Sequence, residues 1–301
     1  MSISKDGMLA GVRVIDMTSV VFGPLATQML GDLGADVIKV ESPEGDMLRQ
    51  VQPARTPGMG AAFLGTNRNK RSITLDLKTQ KDRTALLDLL DDADVFVSSV
   101  RPAALARLSL SPETLRKRNP KLITVAAVGF GGVTAAYAIM AALYHRERTG
   151  QAQHVEVPMF ETLASFLLVE HMAEATFESE PQSFGYQRML VPHRRPVKTA
   201  DGYITILPYS NAQWARFFKA VGRDDMLNHP WVTNMDERSR NIGGIYDMVA
   251  QIATTRTTAQ WIELTEQADI PAMPVRLLSD LPQDPHLAAT GFFQTIDHPT
   301  E

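Results

Sequence analysis

The chain's 301 residues are 44% hydrophobic and 21% charged, enough apolar material for a full buried core and a division into two domains. A formal net charge of −4 argues against a nucleic-acid coat, no apolar run is long enough to cross a membrane, and MSISKDGMLAG holds no signal core, so a cytoplasmic protein is expected. With no cysteine, disulfides, thiolate nucleophiles and Cys-ligated zinc fall away together, and covalent catalysis would use Ser, Thr, Lys, His or a carboxylate.

The first half alternates short β-type runs with helical patterns. VRVIDM (12–17) reads as a strand, and PLATQMLGDLG as a helix that begins with Pro24 and ends near Gly34. DVIKVE is the next strand. RTALLDLLDDA gives a helix with leucines at helical spacing, followed by the strand DVFVSSV. SPETLRKRNP is a helix capped by Ser111, three residues before Thr114, with Glu113 in its first turn. KLITVAAVGFG is a strand again. Strands and helices alternating through short connections predict a parallel, Rossmann-like sheet covered by helices.

From residue 133 to 148 a long apolar helix ends in His145, Arg146 and Arg148, where the helix dipole favours cations, and Gly150 closes it. QHVEVPMFETLASFLLVEHM is a strand running into another helix. The stretch 184–197, FGYQRMLVPHRRPV, has linker composition. Beyond it, GYITILPYS, AQWARFFKAVG and IYDMVAQIATTRTTAQWIELTEQ predict a smaller α+β unit with Trp214, Phe217 and Phe218 in its core. These patterns set a large α/β domain over 1–185 and a linker with a small α+β domain over 186–301.

Several stretches invite chemistry. VGFGGVTAAYAIM resembles a nucleotide cradle, but the G-x-G-x-x-G pattern has Thr134 in its third glycine position. No acidic residue ends a following strand to contact a ribose, so glycines packing a helix against a sheet are the simpler reading. NRNKRS (67–72) reads first as a solvated turn and second as a phosphate patch. VPHRRP could grip an anion, although a proline-bounded linker accounts for it more simply. Asp16 and Glu41 stand at strand ends, where active-site groups gather, and read as structural acceptors rather than nucleophiles. No His or carboxylate cluster has metal-ligand spacing.

Taken together, LAGVRVIDMTSVVFGPLATQMLGDLGADVIKVESPEGDMLR, NRNKRSITLDLKT, ADVFVSSVRPAALARLSL, NPKLITVAAVGFG, RERTGQAQHVEVPM and DPHLAATGFF resemble the class III CoA-transferases. That family includes formyl-CoA and carnitine CoA-transferases and the α-methylacyl-CoA racemases. The resemblance implies a split Rossmann-like large domain and a small domain, in a homodimer whose two chains interlock like links. It implies coenzyme A as the carried group, acyl-CoA and carboxylic acid as substrates, and no metal or redox cofactor. Matched by motif position, coenzyme A contacts would come from Ser19, Val20 and Phe22 of SVVF, Ser42 after IKVE, Leu75 and Lys78 of TLDLK, and Arg107. Met159 matches a residue near the acyl thioester. Ser99 and Val100 stand where the family has an amide and an aromatic, which alters the adenine grip.

A larger departure falls at the glycines. In the family, the Gly-Phe-Gly turn is followed by several dozen residues that hold the catalytic aspartate; here Gly131 meets Gly132 and Val133 directly. The family aspartate attacks the acyl-CoA thioester and becomes an aspartyl-CoA thioester, whereas in the racemases it works with a histidine on the α-proton. The resemblance also places a return segment of the large domain beyond Glu301, without which apolar surface would be exposed. Three readings stay open: a CoA-transferase whose nucleophile lies in the missing segment, a racemase on the same scaffold, and a non-catalytic CoA-binding protein.

Overall fold

A computed structural model describes residues 7–127, 132–177 and 184–295. Gly129 and Gly131 of the glycine turn lie outside the described residues. The chain falls into two compact units that divide between Leu167 and Leu168.

The first unit is built on a parallel sheet of six strands: β1 (Arg13–Met17), β2 (Asp36–Glu41), β3 (Lys70–Thr74), β4 (Val95–Ser98), β5 (Ile123–Ala127) and β6 (His154–Val157). Their spatial order is β3-β2-β1-β4-β5-β6. Helices α1 (Phe22–Asp32), α2 (Ala61–Asn67), α3 (Gln80–Asp91), α4 (Pro102–Arg107), α5 (Pro112–Arg118), α6 (Gly132–Thr149) and α7 (Met159–His171) connect or follow the strands. The central strands are β-branched runs because they are covered on both sides. Successive side chains alternate between two cores. Val14, Val37, Val95, Val97, Ile123 and Val125 pack with Leu30 of α1 and Ile139 of α6. Ile15, Ile38, Val40 and Phe96 face the other way, onto Leu86 of α3, Leu105 of α4 and Leu115 of α5.

Ser111 caps α5 as its sequence predicts, accepting the Thr114 N–H. The segment NRNKRS is no free turn: α2 ends at Asn67 and the edge strand β3 starts at Lys70. Gly132 opens α6 against α1, where a Cβ would meet the Phe22 carbonyl oxygen at 2.9 Å. At this described glycine, close helix packing is the structural requirement.

The second unit has a three-stranded antiparallel sheet, β7 (Val197–Lys198), β8 (Tyr203–Ile206) and β9 (Ala272–Pro274), with β8 central. Its helices are α8 (Gln187–Leu190), α9 (Asn211–Ala220), α10 (Pro230–Thr233), α11 (Met235–Arg240), α12 (Ile242–Ala253), α13 (Thr258–Gln267) and α14 (Pro285–Ala289). Trp214, Phe217 and Phe218 of α9 are buried in its core with Tyr246 and Trp261. Phe217 stacks on Trp261 with centroids 6.3 Å apart.

Candidate functional site

In an open α/β sheet, ligands settle outside the carboxyl ends of the strands, at the point where strand order reverses. Here that point lies between β1 and β4: α1 leaves β1 toward one face, while α4 and α5 leave β4 toward the other. The two strands are paired in register to Met17 and Ser98, and the Ser99 N–H reaches the Met17 carbonyl at 3.5 Å.

The turn after β1 is anchored from below by Asp16, which is fully buried. The carboxylate accepts the Thr18 N–H at 2.9 Å, the Thr18 and Thr27 hydroxyls, and the Lys70 ammonium at 3.0 Å. Burial opposes the charge, but Lys70, Lys39 and the two hydroxyls outweigh it and hold the Asp16 carboxyl below its usual range. Burial in turn pulls the Lys70 ammonium down to about 8 despite the neighbouring carboxylate. Lys39, in register with Asp16 on the next strand, is also buried; it pairs with Asp46 at 2.9 Å and donates to the Thr18 carbonyl at 2.9 Å.

This frame holds Val20 in an uncommon conformation. Its φ is +69°, a left-handed value that β-branched residues rarely adopt. The Val20 N–H donates to Asp46 Oδ1 at 3.3 Å, so one carboxylate fixes the turn after β1 and neutralises Lys39. Such strain, over-determined by its surroundings, clusters at binding and catalytic sites.

At the end of β2, Glu41 takes a bidentate grip from Arg49, with both contacts 2.7 Å, and accepts the Ser72 hydroxyl and the Asp46 N–H. Burial pushes this carboxyl up, but Arg49, Ser72 and the Asp46 N–H outweigh burial and bring it to about 2. Asp16 and Glu41 are thus acceptors in a buried frame, as their strand-end positions suggest.

The candidate binding residues sit on top of this frame. Ser19, Val20 and Phe22 follow β1, Ser42 follows β2, Leu75 and Lys78 follow β3, and Ser99 and Val100 follow β4. The Leu75 N–H bonds the Glu41 carbonyl, so the ends of β2 and β3 adjoin. The Leu75 side chain is buried in the core, which leaves its backbone for any ligand. Val100 packs at the core edge, and its N–H donates to the Ser98 hydroxyl at 3.1 Å. Lys78 and Arg107 are exposed and, among the described residues, take part in no ion pair. Met159 begins α7 beyond the end of β6, two strands away from the switch point.

The second reading of NRNKRS loses its free charge: Arg68 pairs with Asp32, Lys70 with Asp16 and Arg71 with Asp36. His145 is exposed in the last turn of α6. Residues 193–196 of VPHRRP wall a cavity of about 240 Å³ in the second unit. Among the described residues no group of His, Asp and Glu could hold a metal ion, and no helix is long and apolar enough to cross a membrane.

Sequence reasoning missed the Lys39–Asp46 and Asp16–Lys70 pairs. The available signal was a lysine inside an otherwise apolar run, DVIKVE, opposite an aspartate in the neighbouring strand.

Comparison with known proteins adds a second line of information. A model of CoA-transferase family III matches residues 9–134 and 129–301. A probable fatty acyl-CoA transferase of Mycobacterium tuberculosis, Rv3272, is 32% identical over 86% of this chain and 80% of its own. A succinyl-CoA:mesaconate CoA-transferase of Haloarcula hispanica is 29% identical over 347 aligned residues, covering 97% of this chain and 86% of its own. The crystal structure of Rv3272 in an orthorhombic form superposes with a TM-score of 0.78 at 28% identity, over 98% of this chain and 94% of that one.

Proposed function

This chain belongs to CoA-transferase family III, and from that premise we propose that it moves coenzyme A from an acyl-CoA thioester to a carboxylic acid. The nucleotide end of the carrier lies along the carboxyl ends of β1 to β4. The observation that carries this reading is the row of Ser19, Val20, Ser42, Lys78 and Ser99 over the ends of neighbouring strands at the switch point. Coenzyme A brings a pyrophosphate and a 3′-phosphate, which call for fixed cations rather than a net positive protein. Lys78 and Arg107 are two exposed cations that, among the described residues, form no close ion pair, although Lys78 lies near enough to Glu44 to lower its pKa.

The chemistry implied by the family needs a carboxylate nucleophile. Its oxygen attacks the thioester carbonyl carbon, the C–S bond breaks, and CoA leaves as a thiolate from a mixed anhydride. The thiolate then attacks the enzyme's carbonyl, the donor acid departs, and an aspartyl-CoA thioester remains for the acceptor acid to reverse the sequence. Asp16 and Glu41 are bound to cations and hydroxyls and are not free to attack. The nucleophile is assigned instead to the segment that the family inserts between the positions of Gly131 and Gly132. Two findings support this: the alignment of 347 residues exceeds the chain's 301, and the two matches to the family model meet at 129–134.

The working unit is an interlocked homodimer. Supporting this, α7 has no buried residue yet displays Phe160, Phe166 and Val169, an apolar helix that a second copy would cover.

The deciding experiment mixes the protein with an acyl-CoA donor and a labelled carboxylic acid, then adds hydroxylamine. Labelled acyl-CoA should form, and hydroxylamine should stop turnover by capturing an enzyme thioester. CoA binding without transfer or capture with any donor would favour the second reading, a non-catalytic CoA-binding protein, which the direct Gly131–Gly132 join suggests. Exchange of the α-proton without an acceptor acid would instead mark a racemase.

A further inference from the structure

The second unit gathers guanidinium groups without matching carboxylates. Arg188 Nε donates to the Tyr246 hydroxyl oxygen at 2.9 Å, and an Arg194 terminal nitrogen donates to the same oxygen at 3.3 Å. Arg188 also lies 4.6 Å from the centre of the Tyr209 ring. Arg238 is 4% exposed and spends its donors on the Trp231 and Val232 carbonyls and on Asn211 Oδ1. Burial, then the charge of Arg188, hold the Arg238 guanidinium below its usual range, so these cations feel one another. Among the described residues, no carboxylate pairs with Arg188, Arg194, Arg195 or Arg238. The nearby Asp247 is engaged by His193 at 2.6 Å.

Of these groups, Arg194, Arg195 and Tyr246 line the cavity of about 240 Å³, together with His193, Leu207 and Val249. The Tyr246 phenol is buried, and both of its lone pairs face guanidinium donors. Its own proton is therefore available to a further acceptor. A site that offers a planar guanidinium fork and a phenolic O–H, and excess positive charge, calls for an anion with oxygen acceptors. Leu207 and Val249 give it an apolar side, which suits a carbon skeleton and not a bare inorganic ion.

We propose that this cavity binds a small organic carboxylate, held by Arg194 and Arg195 and by the Tyr246 hydroxyl, with its carbon chain against Leu207 and Val249. The site stands apart from the transfer reading, because it uses none of the strand-end residues of the first unit.

Calorimetric titration of the full chain with succinate, butyrate, inorganic phosphate and coenzyme A tests it. Succinate should bind, inorganic phosphate should bind at least about tenfold more weakly, and R194Q/R195Q should weaken succinate by about tenfold or more, one charge-assisted contact's worth. Y246F deletes the oxygen that accepts from Arg188 and Arg194, so it should weaken succinate several-fold and lower the melting point, while circular dichroism stays that of the folded parent. Coenzyme A titrations should be the same for all variants. The proposal falls if succinate does not bind, if phosphate binds equally well, or if neither variant changes succinate affinity. It also falls if R194Q/R195Q loses coenzyme A and keeps succinate, which would make the cavity a phosphate site. Failure of acyl transfer with succinate binding intact would count against the transfer reading alone.

Discussion

Lys70 shows how one side chain holds the turn after β1 in place. Its ammonium is 3.0 Å from a carboxylate that is itself fully buried, with the Pro24 carbonyl and Asn67 Oδ1 as further acceptors. Removing the cation leaves Asp16 charged in the interior with only the buried Lys39 near it, a loss of about 3–5 kcal/mol for a buried pair broken on one side. K70M should lower the urea midpoint accordingly, and D16N/K70M should recover part of the loss; equal midpoints for K70M and the parent would show the pair to be idle. Glu41 makes a pH prediction. Its folded value of about 2 lies below the ordinary 4.5, so its stabilising effect is complete above pH 4.5 and disappears as pH falls toward 2. Thermal melts across that window should fall more steeply for the parent than for E41Q, which has no proton to gain there. Lys70 runs the other way: with a folded value of about 8 against 10.5, its burial penalty is felt below pH 8 and lifts as pH rises to 10.5.

At the level of elements, the join of α1 and α6 turns on one glycine. A Cβ at Gly132 would sit 2.9 Å from the Phe22 carbonyl oxygen, a backbone atom that cannot rotate aside. Overpacking of about 1–3 kcal/mol exceeds the roughly 1 kcal/mol that alanine gains over glycine in a helix. G132A should therefore melt lower than the parent, and a higher melting point would show that α6 can slide. At Gly132, the described glycine of that run, close helix packing asks for the residue that a nucleotide cradle would also use. Elements β1, β2, β4 and β5 are legible because buried parallel strands are rich in β-branched and apolar residues, interrupted here only by Asp16 and Lys39. Strand β3, KRSIT, is not, because it is an edge strand whose cations are neutralised by Asp16 and Asp36 from distant positions. The stretch IYDMVAQIATTRTTAQWIELTEQ holds two helices, α12 and α13, and Thr257 and Gln260 form the capping box that starts the second. The strand-end residues of the candidate site are legible through the resemblance to the CoA-transferase family, by motif position, and not from strand positions alone. The buried ion pairs beneath them are not legible, since their partners meet only when the sheet forms.

Among the described residues, two helices present apolar side chains to solvent that the proposed homodimer would cover. On α6, Ala135, Ala136, Ile139 and Ala142 are buried, while Val133, Tyr137, Met140 and Tyr144 form a second, exposed stripe. Those four recur at intervals of four, three and four residues, the spacing of a helix seam that meets another helix. α7 has no fully buried residue, and Phe160 and Phe166 are each 77% accessible. Exposed apolar patches beyond a few hundred Å² mark an interface. In the proposed homodimer a second copy would cover these helices, a two-fold arrangement presenting the same stripes to each other. Light scattering during gel filtration should give the mass of two chains. Y137K/Y144K changes no buried residue; it should shift the protein toward one chain and raise its tendency to aggregate through the uncovered α7. A parent that runs as one chain would remove the dimer from the proposal and leave these stripes without a partner of the same kind.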